Sequence, residues 1–272
     1  KLVTGGLRIG AGARLARLAV ADAFALPVEA VEEHWHALVP PYAALFAWGE
    51  GRAGPPDTGG QPIFRPFMLA HPLEVPAALE PAAYAAEWKW DGIRAMAVRA
   101  GGAARLFSRD GNEISTAFPE IPAALGRDLV LDGELLVRGE AGVGSFNDLQ
   151  QRLGRKTVTA ALLARHPVFL RCYDLLFDGG EDLRDQPYTA RRARLEALVP
   201  RLDPARFDLS PRLAFDGLDA LHALRAAPPD PAIERLMLKR LDSPYVLGRR
   251  ADARDDAPRP RARARRASAA AR

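Results

Sequence analysis

From Ile63 onward, short apolar runs alternate with turn-forming residues, and this pattern constrains the fold more than any other feature of the sequence. Runs rich in branched and aromatic side chains suit β-strands, whereas the glycine, proline and aspartate between them suit turns. Strands are predicted at Tyr84–Trp90, Ile93–Arg99, Ala104–Ser108, Leu129–Val137, Val168–Phe177 and Leu236–Arg240. Helices are predicted at Phe146–Leu153, Thr189–Val199 and Leu218–Ala226. Mixed short strands and helices indicate an α+β domain rather than a regular βαβ repeat.

The segments that flank this α+β region have a different character. Apolar and small residues recur at helical spacing through Leu15–Leu26 and Val28–Phe46, so residues 1–49 are predicted to be helical. Pro40-Pro41 is expected to interrupt or end the second stretch. Residues 50–61 are rich in glycine and proline and predict a linker. The main domain is then expected at 62–248, followed by a tail at 249–272.

The tail carries the basic character of the chain. Residues 251–272 contain seven Arg and three Asp, which leaves 31 basic and 31 acidic residues in 1–250. The net charge of +4 therefore says little about the folded region, and a DNA-binding surface must come from local clustering. Because residues 249–272 contain no large apolar side chain, the tail is predicted to be disordered.

Cysteine content and hydropathy limit the compartment. Cys172 is the single cysteine, which excludes an internal disulfide and makes a reducing cytoplasm the expected location. No apolar run is long enough to span a membrane, and the basic start lacks the apolar segment of a signal peptide. We therefore expect a cytoplasmic monomer with no membrane partner.

The segment Glu87-Trp88-Lys89-Trp90-Asp91-Gly92-Ile93-Arg94 contains the first candidate for chemistry. A lysine becomes nucleophilic when desolvation or a nearby cation favours its neutral amine. The flanking tryptophans are expected to supply apolar surroundings, and the Asp-Gly turn is expected to direct Lys89 into a pocket. The residues alone leave open that Lys89 is a surface lysine in a hairpin.

Two further motifs carry charged residues at or inside predicted strands. In Ser108-Arg109-Asp110-Gly111, the arginine could present a fork to phosphate or ribose oxygens, or it could lie in an exposed hairpin turn. In Leu129–Val137, Asp132 and Glu134 interrupt an apolar run. Burying acids is costly unless they are paired, so a metal ion or a ribose hydroxyl is the predicted partner, with a simple Asp-Gly bulge as the alternative.

The last two motifs lie on predicted strands further along the chain. Tyr173 precedes Asp174 inside an apolar run, where an isolated tyrosine is more often a core residue. In the strand that starts with Glu234 and reaches Lys239, alternation puts Glu234 on the face of Leu236 and Leu238. It puts Arg235 on the opposite face, together with Lys239.

In this order, the motifs resemble those of covalent nucleotidyltransferases, a group that contains ATP-dependent DNA ligases, RNA ligases and RNA-capping guanylyltransferases. Lys89 to Arg94 resembles the Lys-x-Asp-Gly-x-Arg signature of the group, and the later motifs resemble those of the DNA ligases. The resemblance spans about Pro62 to Arg250. It implies a nucleotidyltransferase (ATP-grasp-like) core of antiparallel sheets flanked by helices, preceded by part of an all-α DNA-binding domain.

The resemblance also implies a reaction and a set of roles. Lys89 would carry AMP taken from ATP, with Mg²⁺ as cofactor and nicked duplex DNA as partner. The implied nucleotide-binding residues are Glu87 at the adenine amino group, Tyr173 stacked on adenine, Glu134 at the nucleotide, Lys239 at phosphate, and Arg94 and Arg109 at the negative charge of the transition state. The implied metal ligands are Glu134 and Glu234. Arg109 is equally suited to the nicked strand. The position of Glu87 favours ATP over GTP.

The sequence departs from the family pattern at two places. Arg235 stands where the family has glycine, and the resemblance stops near Gly248, before the expected Lys-x-Lys motif and OB-fold domain. We interpret the change of composition there as a truncated or frame-shifted carboxyl region, which predicts weak or absent self-adenylation. An inactive DNA-binding remnant and an RNA ligase or capping-type enzyme are the alternatives.

The amino-terminal residues add one resemblance of their own. Residues 1–10 resemble the end of the DNA-binding domain in bacterial ATP-dependent ligases linked to DNA-damage responses. Backbone N–H groups beside Lys1 and Arg8 would suit phosphate contacts without sequence preference, although a plain loop before a helix is equally consistent with this segment.

Overall fold

The structure, a computed structural model, describes residues 12–35, 38, 40–73, 79–139, 142–155 and 157–249. The predicted phosphate-binding segment at 1–10 and nearly all of the predicted disordered tail lie outside these residues. The helices are α1 (Ala13–Ala23), α2 (Val28–Trp35), α3 (Ala43–Gly49), α4 (Glu120–Ala123), α5 (Phe146–Gln150), α6 (Ala160–Arg165), α7 (Tyr188–Leu198) and α8 (Leu218–Ala226). The strands are β1 (Met68–Leu69), β2 (Tyr84–Trp90), β3 (Ile93–Ala100), β4 (Ala103–Ser108), β5 (Leu129–Val137), β6 (Val168–Asp178), β7 (Glu181–Asp182), β8 (Phe207–Leu209), β9 (Arg212–Leu213), β10 (Ile233–Arg240) and β11 (Gly248–Arg249).

The predicted α+β class is confirmed, and each of the six predicted strands is present. The main sheet has the order β4-β3-β5-β6-β7, with β8 added beside β6. Its pairs are antiparallel except β6–β8, where the chain returns through α7 and so can place the two strands in parallel. A second sheet of order β10-β2-β9 contains the lysine strand.

Three apolar clusters hold these layers together. The largest covers one face of the main sheet, where Ala97 and Leu131 pack with Ile121 of α4 and Leu195 of α7. A second cluster on the other face includes Phe67, Met96 and Val130. The third joins the two sheets, because Trp88, Trp90 and Ile233 of the smaller sheet pack with Leu136 and Phe169 of the larger one. Removing this apolar surface from water is the main force that fixes the sheets relative to each other.

The described part of the amino-terminal segment is helical as predicted, and its second helical stretch is interrupted, as expected from Pro40-Pro41. α2 ends at Trp35, and α3 starts only after Pro40-Pro41, since proline cannot continue a helix. Glu33 of α2 lies 3.6 Å from Arg65 and 3.2 Å from Arg184, so the helices contact the α+β core through a shared carboxylate. None of the described helices is long and apolar enough to cross a membrane.

A fully buried arginine stabilises the helical side of the main sheet. The Arg152 guanidinium donates to both Glu120 carboxylate oxygens at 2.6 Å, to the Ala117 carbonyl at 2.8 Å and to the His166 carbonyl at 2.9 Å. Its side chain is 0 % exposed and that of Glu120 is 11 % exposed. The carboxylate therefore neutralises a charge that has no access to water.

We expect Glu120→Gln to lower the free energy of unfolding by about 3 kcal/mol, because the substitution leaves the buried Arg152 charge without its counterion. Glu50→Gln is the matched control, since Glu50 pairs with Arg52 at the surface, where ion pairs contribute little. Urea unfolding of both variants measures the difference. Equal losses in the two variants would contradict this account of Arg152.

Candidate nucleotide-binding site

Lys89 lies next to the end of β2, and its Nζ pairs with the carboxylate of Glu234 on β10. The Lys89 side chain is 42 % exposed. Trp88 and Trp90 do not surround it, which corrects the expectation from sequence. Side chains alternate along a strand, so the two tryptophans lie on the opposite face of β2, in the cluster between the sheets.

Glu234 reaches Lys89 because β10 contains a β-bulge. Ile233 pairs with Trp90, and Arg235 pairs with Lys89, so Glu234 is an extra residue between two consecutive partners. Simple alternation from Leu236 was therefore wrong for this residue. A bulge reorients the side chain that it carries, and here it brings a carboxylate to the lysine.

Tyr173 also occupies a bulge. Asp174 pairs with Asp132 and Cys172 pairs with Gly133, which leaves Tyr173 as the extra residue of β6. The Lys239 Nζ lies 4.7 Å from the centre of its ring and 3.1 Å from its carbonyl oxygen. Burial raises the pKa of the Tyr173 hydroxyl well above its usual range, so the side chain is a neutral aromatic surface.

Glu87 is buried two residues before Lys89 and has three partners. Its carboxylate accepts a hydrogen bond from Tyr188 Oη at 2.7 Å, and it lies 2.9 Å from Lys239 Nζ and 3.5 Å from Arg192 Nη1. Burial by itself would raise the pKa of Glu87. The charge of Lys239 and the hydrogen bond from Tyr188 outweigh burial and lower it, so the carboxylate is ionised.

Arg94, which is half-buried, forms an ion pair with the buried Asp132. Arg94 donates to the two Asp132 oxygens at 3.2 Å and 2.8 Å and to the Met68 carbonyl at 2.8 Å. Tyr245 Oη donates to Asp132 at 2.7 Å, and the Arg94 guanidinium lies 4.4 Å from the centre of the Phe67 ring. The partners of Asp132 are thus protein groups. Of the two acids of β5 for which a metal ion or a ribose hydroxyl was predicted, Glu134 remains the candidate.

Glu134 is the partner of Arg94 in the β3–β5 ladder. Burial raises the pKa of Glu134 to about 8, against the opposing charges of Arg94 and Lys89. The nearby negative charge of Asp132 and Glu234 contributes to the same rise. A carboxylate in such surroundings would be stabilised by an added cation.

The two predicted metal ligands, Glu134 and Glu234, therefore lie near Lys89 from two different sheets. Over the described residues, no group of three or more His, Cys, Asp or Glu side chains is arranged to hold a metal ion. Magnesium is compatible with this donor set, because it binds through one or two carboxylates and completes its shell with water and substrate phosphates.

Arg109 is exposed in the turn that follows β4. Ser108 pairs with Ala95, so the register puts Arg109 at the end of the main sheet where Arg94 lies. The adjacent Asp110 carbonyl accepts a hydrogen bond from Arg17 of α1 at 3.3 Å. No hydrogen bond or ion pair joins the Arg109 side chain to another predicted site residue. All of these residues lie in the described part of the chain.

Two motif glycines are required by close approach of neighbouring strands. A Cβ on Gly92 would lie 2.5 Å from the Leu135 carbonyl oxygen and 2.8 Å from Glu134 Cγ. A Cβ on Gly133 would lie 2.7 Å from the Arg171 carbonyl oxygen. The first contact explains how the turn after Lys89 can pack directly against the strand that carries Glu134.

A sequence model of the ATP dependent DNA ligase domain matches residues 67–253. The chain belongs to the ATP-dependent DNA ligase family. It is 37 % identical over 264 residues to a probable DNA ligase of Anaeromyxobacter sp., covering 92 % of this chain and 49 % of that protein. It is 36 % identical over 216 residues to a probable DNA ligase of Koribacter versatilis, covering 69 % of this chain and 38 % of that protein. The chain thus spans about half the length, or less, of these relatives.

Solved ligase structures share the fold. A mycobacterial DNA ligase D complexed with ATP and MES superposes with a TM-score of 0.54 at 32 % identity, covering 68 % of this chain and 57 % of that chain. A Chlorella virus DNA ligase-adenylate gives a TM-score of 0.52 at 16 % identity, over 68 % of this chain and 64 % of that chain. The predicted nucleotidyltransferase core is confirmed by these neighbours.

Sequence reasoning missed several residues that shape the site. Tyr188 and Arg192 on α7 bind Glu87, and Tyr245 binds Asp132. A partner for Asp132 could have been expected from sequence, because an acid inside an apolar strand requires one. No sequence pattern pointed to Tyr188 and Arg192, since they lie 101 and 105 residues from Glu87 in the chain.

Gly92→Ala should lower the free energy of unfolding by about 1–3 kcal/mol, because the new methyl group overlaps backbone atoms of β5. Gly126→Ala is the matched control, since a Cβ there meets no atom within 4 Å. Denaturant unfolding monitored by tryptophan fluorescence compares the two variants. A Gly92 variant as stable as the control would show that β5 does not approach this turn as closely as described.

Proposed function

We propose that this chain is the adenylating part of an ATP-dependent DNA ligase that seals nicks in duplex DNA, with Lys89 as the nucleophile. The observation that carries the proposal is the convergence of Lys89 with Glu234 and Glu134, which come from β2, β10 and β5. Family membership supports the activity, while the chain spans about half of its curated relatives or less.

The adenine would bind at the end of the site that holds Glu87, Tyr173 and Lys239. Tyr173 offers a neutral ring for stacking, and Glu87 is an ionised acceptor for the adenine amino group. Lys239 neutralises Glu87 and fixes it in place. Guanine has a carbonyl oxygen where adenine has its amino group, so an ionised acceptor favours ATP.

The first step is transfer of AMP to Lys89. Nζ must part from Glu234 and lose its proton to water before its lone pair can attack the α-phosphorus of ATP. The new N–P bond forms as the bond from the α-phosphorus to the bridging oxygen breaks, and pyrophosphate leaves. Glu134 and Glu234 would hold Mg²⁺, which would neutralise negative charge on the phosphates.

The next two steps would use a nick as substrate. The 5′-phosphate at the nick attacks the α-phosphorus and releases Lys89, and the 3′-hydroxyl then displaces AMP. Exposed Arg109 is suited to phosphate oxygens of ATP or of the nicked strand. DNA as substrate supports a cytoplasmic, nucleoid-associated protein, and the resemblance of residues 1–10 supports a role in DNA-damage responses.

The deciding experiment is incubation with α-phosphate-labelled ATP and magnesium. It decides between the weak or absent self-adenylation expected from the sequence and the AMP transfer proposed here. AMP transfer predicts acid-labile label on the wild-type protein and none on Lys89→Ala, with Lys156→Ala as the lysine control. Peptide mapping should locate the label on Lys89. If a folded wild-type protein takes no label, the alternative is an inactive remnant that only binds DNA. Binding to a nicked duplex would then identify it.

Tyr173 gives a second test of the nucleotide orientation. Tyr173→Ala should weaken ATP binding about tenfold, because stacking of a base on an aromatic ring contributes about 1–3 kcal/mol. Tyr173→Phe keeps the ring and should bind ATP nearly as well as the wild type. Calorimetric titration without magnesium measures both affinities, and equal affinities for the Ala and Phe variants would place the base elsewhere.

A further inference from the structure

Arg235 is the direct cross-strand partner of Lys89. Residues opposite each other in an antiparallel pair have Cβ atoms about 4.5–5.5 Å apart, on the same face of the sheet. Arg235 is exposed, and in the described part of the chain no ion pair involves its guanidinium. An arginine without a counterion thus lies beside the reacting amine.

Lys239 cannot fill the same position. Its Nζ is held by Glu87 at 2.9 Å and by the Tyr173 carbonyl at 3.1 Å. Lys239 lies four residues beyond Arg235 on β10, which corresponds to about 13 Å along the strand. The lysine expected to bind phosphate is therefore committed to the adenine end, and the cation that β10 presents beside Lys89 is Arg235.

Near Lys89, the residues of β2 and β10 carry more positive than negative charge. Lys89 and Arg235 are both cations, and Glu234 is paired with Lys89. One positive charge is left for an anionic group that approaches the amine. The planar guanidinium can donate two parallel hydrogen bonds to a single phosphate group, which a lysine cannot do.

We propose that Arg235 is a substrate-binding residue that grips the non-bridging oxygens of the phosphate attacked by Lys89, the α-phosphate of the nucleotide. The proposal rests on the function proposed above, because it takes the nucleotide to bind with this phosphate at Lys89. The same contact would stabilise the charge that builds up on these oxygens during AMP transfer. It assigns a role to the residue that departs from the family pattern.

AMP and adenosine distinguish this proposal from its alternatives, because they share the base and sugar and differ by the one phosphate. Neither ligand can adenylate Lys89, so equilibrium binding can be measured calorimetrically on the unmodified protein. We expect Arg235→Gln to weaken AMP binding about tenfold and to leave adenosine binding unchanged. Arg235→Lys should retain part of the AMP affinity. Arg240→Gln, at the exposed end of the same strand, should change neither affinity.

Three results would overturn the proposal. AMP binding that is unchanged in Arg235→Gln would show that the guanidinium does not contact the α-phosphate. Equal weakening of AMP and adenosine would show a general effect on the site. Tighter AMP binding in Arg235→Gly would show that the side chain obstructs the phosphate. If the wild type binds neither ligand, the proposed nucleotide site itself fails, and that outcome is distinct from the first three.

Discussion

The ion pair between half-buried Arg94 and buried Asp132 is the interaction on which the rest of the site depends. Arg94 lies five residues after Lys89, and Asp132 lies two residues before Glu134, so their contact fixes both segments in one register. Tyr245 and the Met68 carbonyl complete the pair from parts of the chain outside the two strands. Breaking a buried pair by removing one partner costs about 3–5 kcal/mol, which makes this register hard to alter.

The strands that carry the chemistry could be predicted from sequence because apolar runs report burial directly. The bounds of Tyr84–Trp90 and Leu129–Val137 agree with the structure, and so does the helix Leu218–Ala226. The face of the strand to which a side chain points could not be predicted in the same way. Glu234 and Tyr173 both lie on β-bulges, and a bulge depends on the pairing of two strands that are far apart in the chain.

The tryptophans beside Lys89 show a related limit. Proximity in sequence suggested an apolar pocket around the lysine, but strand alternation directs Trp88 and Trp90 to the contact between the sheets. What surrounds Lys89 is instead charged, with Glu234 in contact and Arg235 as its cross-strand partner. The lysine was identifiable from its motif, whereas its environment depended on tertiary pairing that no local pattern contains.

Two Lys–Glu pairs on the smaller sheet differ in exposure, and this difference suits the two ends of a nucleotide. In the Lys89–Glu234 pair the side chains are 42 % and 41 % exposed, whereas Lys239 and Glu87 are 19 % and 2 % exposed. Exposed pairs contribute about 1 kcal/mol or less, so the first can open when a phosphate arrives. In the second pair Glu87 is buried and also accepts a hydrogen bond from Tyr188, so the pair stays formed. Lys89 can therefore exchange Glu234 for a phosphate, while Glu87 keeps its position at the adenine end.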